Sequence, residues 1–168
     1  MSTSFSRQFC LLANYNRWAN RALFEACERL GDTGVSAPRP AFFGSILGTL
    51  NHLLVGDRTW LARLRNDPPP GYSLDQTLCG TLADLDRARR AEDERIVAYV
   101  DSLDAAGFDA TIKYRNTSGA AFENTVSDTL THMFNHETHH RGQVHDMLSQ
   151  TDTPSPELDL IFYMRQIG

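Results

Sequence analysis

Five of the six histidines of this chain lie between His132 and His145, in the run HMFNHETHHRGQVH. Phe134, Val144 and Met147 interleave with them, so the run belongs to a folded element. At about 100° per residue, Val126, Leu130, Met133, Phe134, Val144, Met147 and Leu148 define one apolar helix face. His140 lies close to that face, and His136 sits at its edge one turn earlier. His132 and His139 point further outward, and His145 falls on the opposite flank. Side chains at i and i+4 have Cβ atoms about 5–6 Å apart. Two such imidazoles can converge on one divalent cation at about 2.0–2.1 Å. His52 is the one histidine elsewhere, in GSILGTLNHLLVGD. Its helix face carries small residues, Gly48, Thr49 and Gly56 among them, which admit a close neighbour or leave a cavity. His52, His136 and His140 together would make a three-histidine site with a coordination position left open. That is the pattern of a catalytic site rather than a closed structural one.

His136 and His140 with Glu137 also spell H-E-x-x-H, in which the glutamate acts as general base of a metalloprotease. Such enzymes need a peptide cleft, usually beside a sheet, and the pattern here is helical. Glu137 falls near the centre of the apolar face and is expected to be buried, orienting an imidazole or pairing with an arginine. Asp57, on the inward stripe of its helix, is expected either to support a ligand or to pair with Arg58 or Arg63.

The elements that must position these residues are four helices. Phe9, Leu12, Ala19, Leu23, Ala26 and Leu30 recur at helical steps over residues 4–30, and Gly31 follows as a natural C-terminal stop. A loop with Gly34, Pro38 and Pro40 occupies 32–40. The second helix spans about 42–65, with Ile46, Leu50, Leu53, Leu54, Leu61 and Leu64 inward, and Pro68-Pro69-Pro70-Gly71 ends it. Ser73 with Gln76 fits a capping box for a third helix over 73–103. Its charged run, 84–95, reads as a solvated face with local ion pairs, because acids and bases alternate. Between Gly107 and Glu123 the period changes to two, and Asn116-Thr117-Ser118-Gly119 is turn chemistry, so a short β-hairpin is expected. Thr125 with Asp128 caps the fourth helix, which runs to about Ser149, and a short last helix follows over 157–166. The expected fold is all-α, an antiparallel four-helix bundle with a hairpin between helices 3 and 4.

A chain of 168 residues is expected to form one domain, 1–168, with a core of its own. The net charge of −5 gives no bulk reason to bind nucleic acid or an anionic membrane. Cys10, Cys27 and Cys79 are odd in number and far apart, so no disulfide framework or zinc ribbon is expected. No signal sequence opens the chain and no apolar run would span a bilayer, so the expectation is a cytoplasmic protein.

Taken together, the motifs resemble the DinB family. They are Tyr15-Asn16-Arg17-Trp18-Ala19-Asn20, Asn51-His52-Leu53-Leu54 with Asp57 and Trp60, Tyr114-Arg115-Asn116 before Gly119, and His132-x-x-x-His136-Glu137-Thr138-His139-His140-Arg141-Gly142-Gln143. The closing Asp159-Leu160-Ile161-Phe162-Tyr163 is similar as well. The resemblance implies a four-helix bundle, often a homodimer, holding a divalent metal, zinc or nickel. The ligands map to His52, His136 and His140. It also implies chemistry with a small thiol such as mycothiol, bacillithiol or glutathione as co-substrate. Three functions follow as expectations: a metal-dependent thiol S-transferase acting on small electrophiles, a hydrolase with Glu137 as base, or a non-enzymatic metal-binding stress protein. Phe42, Phe43 and Trp60 are apolar residues that a small bundle need not bury, in keeping with a dimer.

Overall fold

The computed structural model describes residues 4–116 and 118–168. The sequence readings that fall on residues 1–3 and on Thr117 of the hairpin turn lie outside the described residues. The chain order is α1 (Ser4–Ser36), α2 (Ile46–Leu64), α3 (Leu82–Asp101), α4 (Ala105–Asp109), β1 (Thr111–Arg115), β2 (Ala121–Thr125), α5 (Val126–Ser149) and α6 (Leu160–Ile167). The fold is the all-α bundle with a short hairpin. Hydroxyl caps start α2, α3 and α5. Ser45 Oγ accepts the Gly48 N–H at 2.9 Å, Thr81 Oγ1 that of Asp84 at 3.2 Å, and Thr125 Oγ1 that of Asp128 at 3.1 Å.

Several boundaries differ from expectation, each for a local reason. Gly31 does break α1 (φ 77°, ψ 166°), but a further helical turn follows through Ser36 and buries Val35. The second helix starts at Ile46 rather than Phe42, because Gly44 takes φ 73° and Ser45 provides the cap. The third starts at Leu82 rather than Ser73. The Ser73 N–H does reach Gln76 Oε1 at 3.3 Å, but this turn stops there. The next backbone groups are taken by α2: Asn51 Oδ1 accepts the N–H groups of Leu78 and Cys79 at 2.8 and 2.9 Å. Gly107 and Phe108 belong to α4, capped by Asp104, so the strands begin only at Thr111. In the hairpin Ile112 pairs with Asn124 and Tyr114 with Phe122. The last helix begins at Leu160, not Glu157.

Side-chain contacts fix the helix directions. Along α1 and α3, Cys10 meets Asp101, Arg17 meets Glu94 at 2.8 Å and Asp32 caps Leu82, so these two run antiparallel. Gly56 lies against His136 and Trp60 against His132, so α2 and α5 are antiparallel too. Asp57 meets Arg89 and Leu64 meets Tyr99, so α2 and α3 run parallel. Residues 65–81 must therefore return the length of a 19-residue helix, about 28 Å.

The core has two apolar clusters. One gathers Leu23, Phe24, Leu50, Leu54, Leu85 and Val144; the other gathers Phe9, Leu61, Ile96, Leu130, Met133 and Phe134. Between them every long helix contributes buried polar residues: Asn16 and Asn20, Asp57, Arg89 and Asp93, and Glu137 and Arg141. The reading of 84–95 as a solvated face is therefore corrected. Arg89, Glu92 and Asp93 are buried, because they continue the inward stripe of Leu82, Leu85, Ile96 and Val100. Asp57 pairs with Arg89 at 2.7 Å, not with Arg58 or Arg63.

Candidate metal centre

At mid-bundle, where α2 crosses α5, His52, His136 and His140 come together. One ring nitrogen from each lies within 4.8 Å of the other two. His52 Nε2 and His136 Nε2 are 3.1 Å apart. Zinc at about 2.0–2.1 Å from each nitrogen would hold them about 3.4 Å apart, close to the His52–His136 separation. The close approach depends on Gly56. A Cβ there would stand 3.1 Å from His136 Cε1.

Neighbours orient two of the rings. His52 Nδ1 donates to the Leu74 carbonyl at 2.7 Å, and His140 Nδ1 to Gln143 Oε1 at 2.7 Å. Each bond sets the tautomer that leaves Nε2 as a lone-pair donor. Burial, reinforced by the neighbouring His140, pushes the His136 pKa down to about 4. Burial also lowers that of His140, against its hydrogen bond to Gln143 Oε1. Neutral imidazoles are the metal-binding form, so this donor set fits a divalent ion at neutral pH. The Phe43 ring stacks on His52 with centroids 4.0 Å apart, and stands edge-on to His140 at 5.6 Å, forming an apolar wall.

The other histidines stay outside this group. His132 packs edge-on to Trp60 at 4.8 Å, and His139 is exposed, with Gln143 at 3.2 Å. Glu137 is fully buried, and its carboxylate faces the polar layer. It accepts from Arg141 at 3.0 Å and lies 3.7 Å from Arg89. Burial alone would raise its pKa, but Arg89 and Arg141 bring it below the ordinary carboxylate value. Asp57 moves the other way: burial and the Glu137 charge raise its pKa well above normal. The layer holds three carboxyls and two guanidiniums.

The sequence reading did not single out Phe43 as a wall, Gln143 and the Leu74 carbonyl as orienting partners, or the Arg89–Asp93 pair as core. Gln143 stands three residues after His140, a spacing that could have marked it. Leu74 carried no signal, because a backbone carbonyl is the same in any residue.

Comparison with known proteins bears on this arrangement. The model of the DinB family matches residues 1–167. The curated "Protein DinB" of Bacillus subtilis (strain 168) is 26% identical over 164 residues, covering 91% of each chain.

Proposed function

The chain belongs to the DinB family, and from that premise we propose a metal-dependent thiol S-transferase that couples a small thiol to an electrophile. The observation that carries the reading is the trio His52, His136 and His140, all-nitrogen and walled on one side by Phe43. A divalent ion on these three nitrogens, zinc or nickel, would lower the pKa of a thiol bound in its open position. Within the chain, the Leu74 carbonyl and Gln143 hold the ligand tautomers, and Phe43 stacks on His52 to wall one side of the trio. The placement of Glu137 supports transfer over hydrolysis. Its carboxylate is committed to Arg141 and Arg89, which leaves it poorly suited to take a proton from a nucleophilic water. The substrate would be a small molecule, and the working unit a cytoplasmic homodimer whose three free cysteines stay reduced.

Elemental analysis of untagged protein after reconstitution with zinc and with nickel tests the site, with about one ion per chain expected. The loaded protein is then incubated with a thiol and a panel of electrophiles, and thiol consumption is followed. Absence of stoichiometric metal would overturn the site. Full metal with ester hydrolysis and no thiol consumption would favour the hydrolase instead.

A further inference from the structure

A groove of about 660 Å³ lies between the C-terminal end of α2 and the hairpin, well within the size of small-molecule sites. Arg63 lines it. The guanidinium carbon sits 4.3 Å from the Trp60 ring centroid and 4.7 Å from that of Tyr114, against both of two rings that meet edge-on at 5.4 Å. Among the described residues its one hydrogen bond is from Nη2 to the Arg115 carbonyl at 3.3 Å. Among the described residues no carboxylate pairs with it. The acids of the groove are engaged elsewhere: Asp67 with Arg65 at 2.8 Å and Glu123 with Lys113 at 3.5 Å. Partial burial pulls the Arg63 pKa down, as for a cation lacking a counter-charge. A guanidinium carries five donors in a planar fork, and the fork matches a carboxylate. Pro69, Tyr114 and Phe122 give the same space an apolar side, facing a polar one that includes Asn66, Lys113 and Arg115.

We propose that this groove binds a small organic carboxylate with an aromatic or apolar body. The carboxylate would lie on Arg63, and the body against Tyr114, Phe122 and Pro69. Arg63 is seven residues beyond Gly56, about 10 Å along α2. Trp60 and His132 pack between the groove and the histidine trio, so both can be filled at once. This inference does not depend on the metal reading, and metal-free protein can test it.

Calorimetric titration of metal-free protein with benzoate should show saturable binding at one site. Acetate and inorganic phosphate, which can both engage the guanidinium fork but lack the body, should bind at least several-fold more weakly. Arg63→Gln, checked for helicity by circular dichroism, should weaken benzoate about tenfold or more, as expected when a charge-assisted hydrogen bond is lost. Phe122→Ala alters a half-exposed side chain that the fold does not rest on, and should weaken benzoate several-fold. Loading zinc should leave benzoate affinity within about twofold if the two sites are separate, since partners that do not interact carry no coupling free energy. Unsaturable benzoate binding would overturn the proposal. So would phosphate or acetate binding as tightly as benzoate, or benzoate affinity unchanged in folded Arg63→Gln or in Phe122→Ala. Loss of benzoate on zinc loading would overturn the separateness of the two sites.

Discussion

Gly56→Ala should move stability and metal affinity in opposite directions. Gly56 is helical, so alanine gains intrinsic helix propensity of about 0.8–1.0 kcal/mol. In a chain of this size that corresponds to roughly 2–4 °C in Tm. The new methyl, however, would stand 3.1 Å from His136 Cε1 and 3.5 Å from Nδ1. Ordinary contact begins at about 3.4 Å, so the ring must retreat by a few tenths of an ångström. Metal–ligand distances tolerate about ±0.2 Å, so this retreat takes His136 out of register with His52 and His140. Zinc Kd, measured by competition with a chromophoric chelator, should rise about tenfold or more, a loss of at least 1.4 kcal/mol. The metal-free melting temperature should hold or rise. Undiminished zinc affinity would refute the close packing of His136 on α2. A fall in the metal-free Tm would show that the methyl collides with something less yielding than one imidazole.

Three further outcomes are expected. His140→Ala should abolish tight zinc binding, and with it the roughly 2.7 kcal/mol by which saturating ligand at 100 Kd stabilises the fold; His139→Ala should change neither, by elemental analysis and melting. Glu137→Gln leaves Arg141 without its carboxylate partner in the core, while Arg89 keeps Asp57 and Asp93, so metal-free stability should fall by about 3 kcal/mol in urea melts; unchanged stability with loss of a hydrolytic activity would instead make Glu137 the base. In metal-free protein, His136 has a folded pKa of about 4 against 6.5 unfolded, so between those values the unfolded chain binds more protons and stability falls as pH drops from 6.5 to 4. The full shift is worth about 3 kcal/mol. Roughly half is expected for a ring with some solvent contact. Urea melts of wild type and His136→Ala at pH 7 and pH 5 check it, and equal pH slopes in the two would refute it.

Much of this site could be read from residue spacing. The phase of Met133, Phe134, Val144 and Met147 around one helix separated His136 and His140 from His132, His139 and His145, because a 100° step leaves little freedom once an apolar face is fixed. The same arithmetic put Glu137 in the core. It failed on α3, where the alternating charges of 84–95 look alike whether the pairs face solvent or close on partners from other helices. Only the positions of Leu85 and Ile96, which place Arg89 and Asp93 on their stripe, carried the distinction. The extra residues assigned to α3 had another cause. Ser73 and Gln76 do make one turn, and only the side chains of Asn51 and His52, distant in sequence, divert the backbone that follows.

The charged layer between the two apolar clusters has a consequence for how the helices find their alignment. Leucine stripes tolerate a slip of one helical turn, about 5.4 Å, because one apolar side chain can replace another. Asp57, Arg89, Asp93, Glu137 and Arg141 do not, since a slipped helix would strand a buried charge. The layer thus acts as a key, admitting one longitudinal setting of four rods. Asp57 follows Gly56 directly, and Glu137 stands between His136 and His140. The key that sets α2 against α5 is therefore cut one residue from His136 on α5, and on α2 one residue from the glycine on which His136 packs. Substitutions in either leucine cluster should loosen the bundle without misaligning the trio, whereas neutralising the layer would free the helices to slide.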